Sequence, residues 1–197
     1  RAQKRTAPAD NPAQAHGWAA KAETLNYDLH QTSPPASEAV GLELAQAHCH
    51  VYTDEDDDFL QQLISASREM TERNTRRQLI TATWTLTARR WPRVDYIELP
   101  KPPLQDVTKI EYLDPAGTLT TLDAATYRVI TNAAVGRISL KSGQQWPSAA
   151  DEDGAIVVTY VAGYGDGPDD VPKLLQQSIL KRVAHWYENR ESTVAAT

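Results

Sequence analysis

Four short groups in this 197-residue chain carry side chains able to do chemistry. The first is the acidic run Asp54-Glu-Asp-Asp-Asp58. A calcium loop of the EF-hand kind needs alternating oxygen ligands, a glycine at position six and a glutamate at position twelve. Counted from Asp54 those positions hold Phe59 and Ser65, so the acids read instead as the start of a helix. There the helix dipole favours negative charge. The second group, His48-Cys49-His50, has metal-ligand atoms but no second Cys or His cluster at zinc-site spacing. It reads as a small buried cysteine closing a helix. The third, Gly163-Tyr-Gly-Asp-Gly167, precedes a helix as a phosphate loop does. It lacks the Lys-Ser/Thr pair, and Asp166, Asp169 and Asp170 would repel phosphate. No nucleophile elbow or His-Glu-x-x-His pattern occurs. The expectation is a protein with no catalytic residues, no metal and no cofactor.

The fourth group is basic. Arg73, Arg76 and Arg77 fall at the end of the helix that the acids begin, and Arg89, Arg90 and Arg93 flank Trp91. Acid at one helix end and base at the other permit a head-to-tail contact between copies, which closes into a ring when the rotation allows. The candidate subunit interface is therefore Asp54, Asp56, Asp57 and Asp58 against Arg73, Arg76 and Arg77. The same arginines could face DNA phosphates, or be a solvated surface matched to the dipole.

Periodicity places the elements that carry these groups. Residues 38–48 suit a short helix, weakened by Gly41. Thr53 is a candidate N-cap for a second helix, whose apolar stripe is Phe59, Leu60, Leu63, Ile64, Ser67 and Met70. From residue 79 the period drops to two. Even positions from Ile80 to Ala88 are apolar or small, while Thr81, Thr83, Thr85 and Thr87 alternate with them. Further strands are predicted at 94–99, 107–113, 119–122, 127–130, 137–140 and 155–162. Pro100, Pro102 and Pro103 mark an extended crossover, and Asp114-Pro-Ala-Gly117 a hairpin turn. A last helix is predicted after Asp169 or Asp170 as cap, with Pro172 in its first turn. It buries Leu175, Ile179, Leu180, Val183, Ala184 and either Tyr187 or Trp186.

The predicted fold is α+β: a small helical unit formed from both chain ends, with an antiparallel β-subdomain of about six strands inserted. Its divisions are an arm at 1–36, a helical part at 37–78, the β-subdomain at 79–165, a closing helix at 166–191 and a tail at 192–197. The arm is poor in large apolar residues, with Trp18, Leu25 and Tyr27 as its anchors. It is expected to be extended or flexible, or to order on a partner.

Composition narrows the function classes. The net charge of −6 argues against a dedicated nucleic-acid binder. A single cysteine excludes an intrachain disulfide framework and suits synthesis in a reducing cytoplasm. No apolar run reaches the length of a membrane span, and none resembles a signal peptide.

Taken in order, several segments resemble one known family. They are the short helix before His48; Asp54-Glu-Asp-Asp-Asp-Phe-Leu-Gln-Gln-Leu-Ile-Ser-Ala-Ser-Arg68; Arg77-Gln-Leu-Ile-Thr-Ala-Thr-Trp84; and Ile97-Glu-Leu-Pro-Lys-Pro-Pro-Leu104 with Val107-Thr-Lys-Ile-Glu-Tyr112. Gln145-Trp-Pro147, Val158-Thr-Tyr-Val-Ala-Gly-Tyr-Gly165, and Val171-Pro172 with His185-Trp-Tyr-Glu-Asn-Arg190 follow. This ordered set, spanning about 37–191, is similar to the head–tail connector (adaptor, or head-completion) proteins of long-tailed bacteriophages and phage-derived gene transfer agents. Cys49-His50 and the long arm depart from the family pattern.

The resemblance implies a structural virion protein that is made in the bacterial cytoplasm and located at the particle neck. It implies a ring of copies, a dodecamer by matching the portal, seated beneath the portal protein. Such a ring extends the DNA channel without sequence-specific binding, and offers a docking surface to a tail-side connector or tail terminator protein. Trp186, Asn189 and Arg190 at the edge of the last helix are the candidate portal contact. The alternative from another class is a carbohydrate- or receptor-binding β-module of a phage-like particle, prompted by five Trp and eight Tyr. A hydrolase with dispersed catalytic residues is a third reading.

Overall fold

A computed structural model describes residues 25–190. The chain runs β1 (Tyr27–Ser33), α1 (Leu42–Cys49), α2 (Asp57–Thr75), β2 (Ala82–Ala88), β3 (Tyr96–Glu98), β4 (Leu104–Leu113), β5 (Leu119–Thr121), β6 (Tyr127–Ile130), β7 (Arg137–Leu140), β8 (Ile156–Ala162), a 3-10 turn (Pro168–Asp170) and α3 (Lys173–Glu188). This is an α+β protein with two antiparallel sheets, one ordered β1-β2-β8-β4-β5 and the other β3-β7-β6.

Alternation builds the larger sheet. In β2 the even residues Ala82, Trp84, Leu86 and Ala88 are buried and the threonines between them only half-buried. Its neighbour β8 repeats the pattern with Ile156, Val158, Tyr160 and Ala162, paired opposite β2 residue for residue. Ile97 and Ile138 of the smaller sheet share the same core, so the two sheets enclose one apolar interior. Tyr160 is fully buried there, and its hydroxyl donates to the Pro100 carbonyl at 2.9 Å. Burial pushes that hydroxyl's pKa upward. The proline crossover accepts from the segment ahead of β2 and from the residue after β8: Gln78 N–H donates to Pro102 O, and Gly163 N–H to Pro103 O.

A second core joins the chain's two ends. Ala39, Val40, Ala45, Leu60, Ile64, Ile179, Leu180 and Val183 pack together with Leu79, Ile80 and Val171. Leu79 and Ile80 thus belong to the helical core, while Ala82 belongs to the sheet core. The crossing point is tight. A Cβ on Gly163, whose φ is +138°, would lie 2.6 Å from the Thr81 nitrogen and 2.7 Å from the Ile80 carbonyl carbon.

Several local expectations need correction. The described residues hold eight strands: the predicted β-subdomain of about six contains seven, β2 to β8, and β1 lies in the predicted arm. Residues 1–24 of the predicted arm lie outside the described part, but Tyr27–Ser33 is a strand paired with β2. Six paired residues outweigh its polar composition. Thr53 does not cap α2: the helix begins at Asp57 after a turn closed by Asp57 N–H to Asp54 O at 3.2 Å. Met70 is exposed, because Ser67 and Thr71 fill the seam facing α3. At α3, Pro172 takes the N-cap position, and Asp170 instead accepts from Gly167 N–H. The α3 stripe is narrower than predicted, with Gln176 buried and Leu175, Ala184, Trp186 and Tyr187 half-buried.

Candidate functional site

The nineteen residues of α2 hold its charged ends about 27 Å apart at 1.5 Å per residue. At the acidic end the four aspartates part company. Asp56 faces α3: its Oδ2 accepts from the Tyr187 hydroxyl at 2.5 Å and from the Arg190 guanidinium at 2.8 Å. That guanidinium also lies 4.8 Å from the Phe59 ring centre and 4.7 Å from that of Tyr187. The Tyr187 hydrogen bond, followed by Arg190, lowers the Asp56 pKa. The same contact raises that of the Tyr187 hydroxyl. Asp57 is engaged too, accepting from Gln46 Nε2 of α1 at 2.5 Å. Asp54 and Asp58 are exposed. Asp58 borders a shallow depression with Gln61, Gln62, Ser65 and Glu69 along the outer face of α2.

The basic end divides in the same way. Arg76 ends the helix in the left-handed region at φ 55°, and its N–H donates to Glu72 O. Arg77 turns inward, donating to the Tyr164 hydroxyl at 2.9 Å. Arg73 and Arg76 are exposed. The strand-end arginines lie nearby: Arg76 lines one depression, Arg89, Arg90 and Arg93 line another, and Leu25 and Pro92 wall both. Arg89 and Arg90 are already paired with Asp151, at 2.9 and 3.2 Å.

Between the two ends runs a buried polar network that sequence reading missed. Arg68 donates to Glu38 at 2.8 Å and to Glu72 at 2.9 Å. Glu72 also accepts from Gln78 Nε2 and from Leu79 N–H, at 2.9 and 3.0 Å. Gln78 in turn accepts from the Trp84 indole at 3.2 Å, which carries the network into the sheet core. Burial pushes the Glu72 pKa up, and its Leu79 and Arg68 donors pull it back. A glutamate four residues after an arginine was a visible signal. Glu38 and Gln78 had none.

At the last helix, Trp186 is half-buried with the Arg182 guanidinium 5.9 Å from its ring, and Asn189 donates to His185 O at 2.8 Å. Arg190 is shared with Asp56, so the predicted portal set and the acidic set meet at one point. The His-Cys-His group is dispersed: Cys49 lies against the helical core, with its thiol pKa raised by burial and by Glu188. His48 and His50 are exposed. Among the described residues no three His, Cys, Asp or Glu side chains are grouped so as to hold a metal ion. In the glycine turn, Gly163 N–H donates to Pro103 O, Tyr164 N–H to Leu79 O and Gly167 N–H to Asp170. No described helix is long and apolar enough to cross a membrane.

No family model and no curated protein matches the chain. Solved structures do. A chain in the neck of an empty gene transfer agent particle, computed with C6 symmetry, is similar over 86% of this chain and 88% of its own, with a TM-score of 0.74 and 23% identity. A chain in the virion of a native gene transfer agent particle aligns over the same shares at TM-score 0.73 and 24% identity. A chain in the neck of the native particle, computed with C12 symmetry, aligns likewise at 0.69 and 24%. At this identity the likeness establishes a common fold.

Proposed function

We propose that this chain is a head–tail connector, a structural protein that forms a ring in the neck of a phage or gene transfer agent particle. The observation that carries the reading is the shared fold, over most of both chains, with chains of gene transfer agent necks and virions. The ordered sequence resemblance supports it independently. In this reading the ring is a dodecamer that sits beneath the portal protein, extends the DNA channel and presents its far face to a tail-side connector or tail terminator. The role is structural and not catalytic. An acidic chain of net charge −6 suits a conduit that lets DNA pass without gripping it.

In this reading the exposed members of each charged group make the contacts. Asp56, Asp57 and Arg77 serve the chain's own fold. The exposed Asp54 and Asp58 remain for pairing with the exposed Arg73 and Arg76 of the next copy. Trp186, beside Arg182, and Asn189, bonded to His185, form the portal-facing edge with Arg190. Negative-stain microscopy of the purified chain, alone and mixed with a portal, tests this: rings or ring-capped portals are expected. A chain that stays monomeric and leaves the portal bare contradicts it, and specific capture on a glycan array would favour the carbohydrate-binding alternative.

A further inference from the structure

Leu25, the residue that follows the undescribed segment 1–24, stands in the wall of two depressions. Its side chain packs half-buried on the sandwich core, and the chain then enters β1 at Tyr27, opposite Ala88. β1 has no strand on its other side. The first depression, of about 380 Å³, has Tyr27, Val94, Tyr96, Ile97 and Val135 in its lining. Tyr27 and Val135 are 38% and 39% exposed, so apolar surface lies open there. The second is lined by Arg89, Arg90 and Arg93, and Asp151 already engages the first two.

We infer that the first depression is the seat of Trp18 of the same chain. Trp18 is the one large apolar side chain among residues 1–24. Six residues separate it from Leu25. That stretch spans ~10 Å if coiled as a helix and ~24 Å if fully extended, so the indole reaches the groove over the whole range. The tether also favours the chain's own indole over any free partner, because a short linker holds it at about millimolar effective concentration. Arg76 and Glu98 give the groove one charge of each sign, so apolar burial and continuity of the chain select the occupant. Glu98 is exposed and offers a carboxylate to the indole N–H, which is a donor only.

This docking is a property of the single chain and does not depend on ring assembly. In a Cys49→Ala background, the full-length chain bearing Val135→Cys is treated with a maleimide, and its alkylation rate is read by mass spectrometry. With Trp18 present, Cys labelling at 135 is expected to be about tenfold slower than with Trp18→Ala, as when docked chains outnumber open ones about ten to one. Equal rates overturn the inference. Slower labelling of Arg90→Cys in place of Val135→Cys would put the indole in the arginine-lined depression and overturn it as well. Mixing settles whose indole it is. Isotope-labelled Trp18→Ala, Val135→Cys chains are expected to stay reactive beside unlabelled chains that keep Trp18. Protection passed to the labelled chains would assign the groove to a second copy and overturn the inference.

Discussion

The helical unit and the β-sandwich each enclose an apolar core but are held by different means. The sandwich is closed by apolar alternation, as in β2 and β8, where every second side chain enters one core. The helical unit mixes its apolar seam with polar links that reach across the chain: Arg182 to Ser67 O and Thr71 Oγ1, Arg68 to Glu38, and Tyr187 with Arg190 to Asp56. The lesson concerns cooperativity. The sandwich can be specified by local pattern, whereas the helical unit exists only when residues from both chain ends arrive. Glu72, Gln78 and Trp84 tie one to the other.

The comparison breaks most sharply at Arg68. Its side chain is 10% exposed and paired with Glu38 and Glu72, so Arg68→Ala leaves a buried carboxylate uncompensated, at a cost of roughly 3–5 kcal/mol. If the two regions are coupled, chemical denaturation monitored by both tryptophan fluorescence and circular dichroism shows one shifted transition. Separate midpoints would show that the sandwich survives alone. Leu86→Ala removes a fully buried side chain from the sandwich and is expected to cost about 3 kcal/mol, moving the same single transition. Gln78→Ala takes a donor from Glu72 and the acceptor from the Trp84 indole, for about 1–3 kcal/mol. That loss should be smaller when Trp84 is already Phe, which a double-mutant cycle measures.

The smallest effect is expected at the surface junction. The folded-state pKa of Asp56 is depressed below the ordinary 3.8, so its contribution is present above that pH and lost as pH falls through the folded value. Asp56→Asn should therefore lower the melting temperature at neutral pH, and the gap from wild type should close in acid. A gap that is constant down to the acid limb would assign the loss to geometry rather than charge.

What the sequence disclosed follows the same division. The threonine alternation of 81–87, the Asp114–Gly117 turn and the apolar runs before Gly163 are local signals, and the strands they predict are present. β1 has no such signal: Leu29 and Gln31 are its half-buried residues, and pairing with β2, 50 to 61 positions away, supplies its order. The charged ends of α2 were legible as types and positions. Which of them face inward was not, because Asp56 is matched by Arg190 only after α3 folds back, 134 residues later. Polar seam residues such as Thr71 displaced Met70 for the same reason, since Arg182 comes from the far end of the chain.

The central claim is that this chain is part of a neck ring, and its place in a particle tests that most directly. Particles from producing cells, carrying an epitope on residues 192–197 and labelled with gold-conjugated antibody or imaged after symmetry-free reconstruction, should show the chain at the junction of capsid and tail, in ring density below the portal. Label on fibres, on the capsid surface or absent from particles would contradict it.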